Sequence, residues 1–178
     1  MTITPVQIFG LQFLLSLAAY SLVGAWLVAP WLAERPRERS LMLLVAPQTM
    51  RHIGATLLVP GVAAPSLAPE FARQTAAGDL ATSSLAFLAL VALHFRWRAR
   101  FALVWLFNGV GCADLLLNMA HGARLQVAKD LGAAWVVPAF VVPGMLVLHG
   151  LVFWVLLWRS RAGAAGSGAA AADRPGLG

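Results

Sequence analysis

The stretch QTMRHIGATLLVPG, residues 48–61, decides the fold predicted for this chain. It places Arg51 and His52 side by side within an otherwise apolar block. A permanent cation that faces lipid costs about 2.5–3.5 kcal/mol on insertion scales. If the block crosses a membrane, Arg51 must therefore turn toward another helix and find a partner there. If the block stays outside, the orientation of every later segment reverses.

The composition of the whole chain is that of a membrane protein. Of its 178 residues, 60% are hydrophobic and only 11% are charged, with a mean hydropathy of +0.78, whereas soluble domains carry about 25% charged residues. Five apolar blocks are each long enough to cross about 30 Å of hydrocarbon as a helix. They are residues 7–33, 41–63, 75–95, 101–123 and 131–158. The net charge of +6 comes from short basic clusters between the blocks, a distribution that excludes a nucleic-acid-binding face.

The distribution of Lys and Arg favours five spans over four. When residues 41–63 cross the membrane, nine basic residues fall on one side and three on the other; otherwise the division is six to seven. The positive-inside rule therefore predicts an all-α bundle of five transmembrane helices in residues 1–161, with the N-terminus outside and the C-terminus in the cytoplasm. Residues 162–178 are rich in Gly and Ala and are predicted to form a disordered cytoplasmic tail.

Polar residues inside the blocks form two facing stripes. An α-helix places Gln48, Arg51 and His52 on one face, because residues three and four apart are neighbours. Asp114 is the acidic residue deep in another block, and Asn118 lies one turn further along the same face. Counted from the cytoplasmic ends of their blocks at about 1.5 Å per residue, the depths of Arg51 and Asp114 in the membrane differ by roughly 5 Å. We therefore predict an ion pair between Arg51 and Asp114.

Asp79 and His149 are further ionisable residues within the apolar blocks. Asp79 lies about one turn into the third block, where its charge favours the positive end of the helix dipole; the alternative is a site at the outer mouth. His149 follows Pro138 and Pro143 in the fifth block. Since His52 and His149 lie at similar depths, they raise the alternative of a paired-histidine haem b site. The single Cys112 allows no intrachain disulfide, and no metal site is predicted.

Three classes of function remain open, because the sequence lacks the HExxH, GxSxG and P-loop signatures and its enzymatic activity is undecided. The leading hypothesis is a polar centre, within the lipid bilayer, that binds or passes a small polar or anionic group. Its residues are Gln48, Arg51, His52, Asp114, Asn118 and His149. Arg51 would hold the anion, Asp114 would orient it and His52 would respond to protonation. The alternatives are an enzyme or electron-transfer subunit acting on a quinone or isoprenoid, and a structural or assembly protein in which the ion pair is a helix clasp.

Four segments resemble those of a bacterial family of small multi-pass membrane proteins without an assigned activity. They are RHIGATLLVPGV (residues 51–62), AAGDLATSSLAFLAL (76–90), GCADLLLNM (111–119) and LGAAWVVPAFVVPGMLVLHGLVF (131–153). The likeness covers about residues 48–158. The resemblance implies a multi-pass protein of a bacterial inner membrane, and it transfers no catalytic residue to this chain.

Overall fold

A computed structural model describes the backbone of residues 3–172 and the side chains of residues 3–157. In this part of the chain every regular element is a helix, as predicted. The α-helices are α1 (Pro5–Val23), α2 (Ala29–Ala33), α3 (Arg37–Val45), α4 (Pro69–His94), α5 (Arg100–Arg124) and α6 (Val142–Ala172). Short 3₁₀ and π-helical segments connect several of them.

Helix α1 begins with a capping box. Gln7 N donates to Thr4 Oγ1 at 3.3 Å, Thr4 N donates to Gln7 Oε1 at 2.9 Å, and Pro5 occupies the first turn. A π-helical turn, Gly24–Val28, joins α1 to α2 without a break. No residue of α1 is buried. The helix therefore lies along the bundle as an outer wall rather than in its core.

Four helical segments of the described chain are long and apolar enough to cross a membrane. They are Pro5–Ala33, Pro69–His94, Arg100–Arg124 and Gly132–Leu157. The predicted second span is not among them; its residues form α3 followed directly by a 3₁₀ helix, Ala46–Leu58. The structure therefore defines a helical bundle with four membrane-length helices and one helix of mixed type.

The C-terminal helix continues beyond the predicted start of the tail. The backbone of α6 is helical up to Ala172, whereas disorder is predicted from Ala162. Alanine, which has the highest helix propensity of all residues, makes up most of residues 162–172 and favours a helical backbone there. Residues 173–178, which the prediction also covers, lie outside the described residues.

The 3₁₀ helix Ala46–Leu58 decides which polar side chains enter the bundle. A 3₁₀ helix has three residues per turn, so side chains three apart eclipse one another. Gln48, Arg51 and Gly54 accordingly share one buried edge, while His52 is exposed. The prediction of an α-helical stripe that includes His52 is therefore wrong, because the period of this segment is 3.0 rather than 3.6.

The bundle is arranged in three layers along its length. Helix α4 packs against the 3₁₀ helix and α5, and α6 packs against α1, α3 and α5. One apolar cluster, the plug, fills the α3 end of the bundle; it includes Leu41, Leu44, Ala86, Ala89, Leu93, Val104, Phe107 and Val152. A smaller cluster lies at the opposite end and is formed by Leu67, Phe71, Ala72, Val127 and Leu131. The buried polar residues lie between the two clusters.

Candidate functional site

Arg51 lies at the centre of the polar layer and bridges two carboxylates. Its Nε and Nη2 donate to Asp79 Oδ1 at 2.8 and 2.6 Å, and Nη2 also donates to Asp114 Oδ2 at 2.5 Å. Nη1 donates to the backbone oxygen of Gly111 at 3.1 Å. The structure thus places Arg51 and Asp114 in the predicted ion pair, and adds Asp79 as a second anionic partner.

Asp79 is the member of this triad that sequence reasoning missed. Helix α4 begins at Pro69 rather than near residue 75, so Asp79 lies about three turns into the helix, beyond the reach of the helix dipole. The interpretation of Asp79 as a dipole partner is therefore wrong. The sequence feature that could have indicated its role is the position of Asp79 within an apolar helix, where an ionisable residue implies a buried partner.

Two glycines provide the space for the carboxylates of the triad, and a third provides the space for His149 and Thr82 beside it. A Cβ at Gly54 would overlap the carboxylate of Asp79, and a Cβ at Gly78 would overlap that of Asp114. At Gly111 a Cβ would lie 2.6 Å from His149 Cε1 and 2.7 Å from Thr82 Cγ2. The three glycines lie on the 3₁₀ helix, α4 and α5, so the backbones of these three helices approach the polar side chains closely.

Hydrogen bonds within α5 and between helices surround the triad. Asn118 Nδ2 donates to Asp114 Oδ1 at 3.0 Å, and Thr75 Oγ1 donates to Asn118 Oδ1 at 3.4 Å. Ser83 Oγ donates to the backbone oxygen of Thr49 at 2.6 Å, which ties α4 to the 3₁₀ helix. The predicted association of Asn118 with Asp114 is present in the structure, within a network that spans three helices.

Gln48 and His149, the other predicted site residues, are fully buried, and their side-chain hydrogen bonds go to groups other than the triad carboxylates. Gln48 Nε2 donates to the backbone oxygen of Met145 at 3.3 Å. Asn108 Nδ2 donates to the backbone oxygen of His149 at 3.2 Å, so Asn108 Oδ1 faces the ring and accepts from His149 Nδ1 at 2.7 Å. His149 Nε2, Gln48 Oε1 and Thr82 Oγ1 have no hydrogen-bond partner in the described part of the chain. These two residues line the centre on the plug side.

A haem b held by His52 and His149 does not fit this arrangement. His52 is exposed, and its Nδ1 lies 3.0 Å from the backbone oxygen of Thr49. His149 is buried, and even a Cβ at Gly111 would lie only 2.9 Å from its Nε2. A porphyrin has no space beside this nitrogen. The two histidines therefore belong to different environments.

A cavity of about 470 Å³ adjoins the triad on the side away from the plug. Its wall is formed mainly by apolar side chains of α1, the 3₁₀ helix, α4 and α5, including Phe9, Phe13, Leu57, Phe71, Leu115 and Met119. Asp79, Thr75, Asn118 and Gln126 are among its polar lining residues. The volume lies within the range of small-molecule sites, about 300–1,000 Å³. One carboxylate of the triad thus forms part of the wall of an apolar cavity.

The chemistry of the centre follows from its charge and its hydrogen bonds. Arg51 uses four of the five N–H groups of a guanidinium on groups within the protein. Two carboxylates around one guanidinium leave an excess of negative charge when both are ionised. Within the described residues no group of three or more His, Cys, Asp and Glu is arranged to hold a metal ion. The centre is therefore suited to hydrogen-bond donors and cations rather than to an anion.

The fold and the centre define a class of protein: a helical bundle with four helices of membrane length and an ion triad buried among them. Within that class, the model of a domain of unknown function (DUF8737) matches residues 8–157, and the chain belongs to this family. The match includes all three residues of the triad. Comparisons with curated proteins and with solved structures gave no match.

Proposed function

We propose that this chain is a multi-pass protein of a bacterial cytoplasmic membrane, with five crossings, an external N-terminus and a cytoplasmic C-terminus. The charge distribution supports this topology. Helix α3 and the 3₁₀ helix Ala46–Leu58 together rise roughly 40 Å at their standard rises per residue, enough to cross the hydrocarbon. The two carboxylates beside Arg51 remove the main obstacle, since its charge is paired inside the bundle.

Cysteine labelling tests the fifth crossing directly. In a Cys112→Ala background, single cysteines at Glu34 and Pro65, both exposed, flank the segment in question. We expect a membrane-impermeant maleimide to label Pro65→Cys from outside intact cells and to label Glu34→Cys only after lysis. Equal labelling of both positions from one side would show that residues 37–58 do not cross.

The function that the geometry supports best is the binding of a lipophilic molecule. The observation that carries it is the apolar cavity with Asp79 in its wall, because the apolar lining suits a hydrocarbon body and the carboxylate supplies one polar contact. The anionic ligand expected from the sequence is disfavoured, since Arg51 is occupied by carboxylates. Permeation is disfavoured as well, because the plug closes the bundle beyond His149.

Filling the cavity tests this function. Gly10 lies in the cavity wall on α1, and nothing lies within 4 Å of a Cβ built there, so Gly10→Phe directs a ring into the free space. We expect the lipophilic molecule that co-purifies with the wild type, measured by native mass spectrometry, to fall by about tenfold or more, the equivalent of about 1.4 kcal/mol.

Gly109→Phe is the matched control for this variant. Gly109 also has open space around its Cβ, but it lies on the exposed face of α5 and outside the cavity. We expect this variant to retain wild-type levels of the co-purifying molecule. Equal retention by Gly10→Phe and Gly109→Phe would contradict the proposed function.

A purely structural role is the second candidate, and one observation favours it. The four side-chain hydrogen bonds of Arg51 all go to α4 or α5, which is what a clasp between helices requires. The two roles are separated by the cavity variant, since a clasp alone gives no reason for Gly10→Phe to change the bound molecules. The location of Gly10, on a helix without buried residues, keeps this test independent of the clasp.

A further inference from the structure

The two carboxylate oxygens of Asp79 have different surroundings. Oδ1 accepts both hydrogen bonds from Arg51, at 2.8 and 2.6 Å. Oδ2 accepts no hydrogen bond from the described part of the chain and lies against Gly54, where a Cβ would overlap it. Gly54 and Asp79 both line the cavity. Because Arg51 occupies Oδ1 and Oδ2 lies against Gly54, the geometry assigns Oδ2 to the cavity side. A charged acceptor with no protein donor is therefore available to a ligand.

The described residues of the cavity wall offer no cationic counterpart. Among them Asp79 is the only charged one, and none is Lys, Arg or His. The other polar residues of the described wall, Thr56, Thr75, Asn118 and Gln126, are all neutral. Thr75 donates its hydroxyl to Asn118, which itself donates to Asp114. The Arg51 guanidinium lies behind the carboxylate, with its donors directed at Asp79, Asp114 and Gly111. A ligand in the cavity thus meets an acceptor and negative charge.

We propose that the ligand is a lipophilic molecule whose headgroup donates a hydrogen bond to Asp79 Oδ2: an ammonium first, and a hydroxyl second. This inference rests on the proposed function of the cavity. A donor to an ionised oxygen makes a charge-assisted hydrogen bond, about twice as strong as a neutral one. A carboxylate or phosphate headgroup would face Asp79 across a region of low dielectric constant, where like charges repel strongly. No cation among the described lining residues would compensate the cost of removing such a headgroup from water.

Three probes with the same hydrocarbon tail test the headgroup. Dodecylamine, dodecanol and dodecanoate are compared by isothermal titration into the full chain in detergent, at about pH 7, where the amine is an ammonium and the acid a carboxylate. We expect dodecylamine to bind most tightly, dodecanol less tightly and dodecanoate at least about tenfold more weakly than the amine. The same titrations into Gly10→Phe, in which the cavity is blocked, serve as the reference. Subtracting them removes the heat that comes from partitioning of the probes into the micelles.

The outcomes separate this inference from the function on which it rests. If none of the three probes binds, or if all bind equally to wild type and to Gly10→Phe, the proposed function fails. If binding depends on an open cavity but dodecanoate binds as tightly as dodecylamine or more tightly, the preference for a donor headgroup is overturned. The proposed binding of a lipophilic molecule in the cavity is then retained. Asp79→Asn, which removes the charge and keeps one acceptor oxygen, should abolish the preference for the amine over the alcohol. A preference that survives in this variant, in protein that still elutes as a folded species, would also overturn the inference.

Discussion

Replacing Arg51 by Leu is expected to lower the free energy of unfolding by about 3–5 kcal/mol, the usual cost of removing one partner from a buried ion pair. The cost arises because Asp79 would remain buried and Asp114 partly buried on neighbouring helices without a cation between them. Arg51 is only 3% exposed, so water cannot replace it. Unfolding of the purified protein in mixed micelles, followed by circular dichroism, measures the change.

Two variants make this result interpretable. Arg73→Leu removes an exposed arginine from the first turns of α4 and should change the stability by no more than about 0.5 kcal/mol. In the background of Arg51→Leu, the exchange of Asp79 and Asp114 for Asn removes both unpaired charges and should recover much of the loss. If Arg51→Leu were as stable as Arg73→Leu, the buried triad would not exist in the folded protein.

Gly78→Ala is expected to lower the free energy of unfolding by about 1–3 kcal/mol or more, the range of overpacked sites. Its Cβ would overlap the carboxylate of Asp114, which is held in place by Arg51 on the 3₁₀ helix and by Asn118 one turn further along α5. Gly54→Ala should have an effect of the same sign, because its Cβ would overlap Asp79. The same unfolding measurement gives both values.

Gly109→Ala is the control for these substitutions. It lies on α5 with nothing within 4 Å of a Cβ, so it should be neutral or gain up to about 1 kcal/mol from helix propensity. The sign of the effect therefore separates contact with the triad from the general consequence of adding a methyl group to a helix. Stabilisation by Gly78→Ala would mean that Asp114 does not occupy the position described.

Much of the helical architecture is predictable from the sequence, because apolar length is a local property. Four of the five predicted blocks correspond to helices of membrane length, and the pairing of Arg51 with Asp114 follows from charge and depth. The partner role of Asp79 was not predicted, since its helix begins six residues earlier than the apolar block that contains it. A boundary error of that size moves a carboxylate from a helix end to a helix centre.

The position of His52 is a second feature that could not be predicted from the sequence. The position of His52 depends on whether its segment turns by 3.6 or by 3.0 residues, and the sequence pattern alone favours the former. Contacts with α4 accompany the tighter turn: Ser83 bonds to Thr49, and Gly54 lies against Asp79. The consequence is that His52 leaves the centre while Gln48 and Arg51 remain in it.

By itself, then, the sequence determined an apolar helical chain, the approximate positions of its helices and the need of Arg51 for an anionic partner, because these follow from hydropathy and charge along the chain. The tertiary structure alone decided that the partner is a pair of carboxylates, that Gly54, Gly78 and Gly111 make room for the centre, and that Asp79 also lines a cavity. The physical reason is that these features depend on contacts between helices far apart in the chain. Only those contacts determine that Arg51 bonds to Oδ1 of Asp79 and leaves Oδ2 without a hydrogen bond from the described part of the chain.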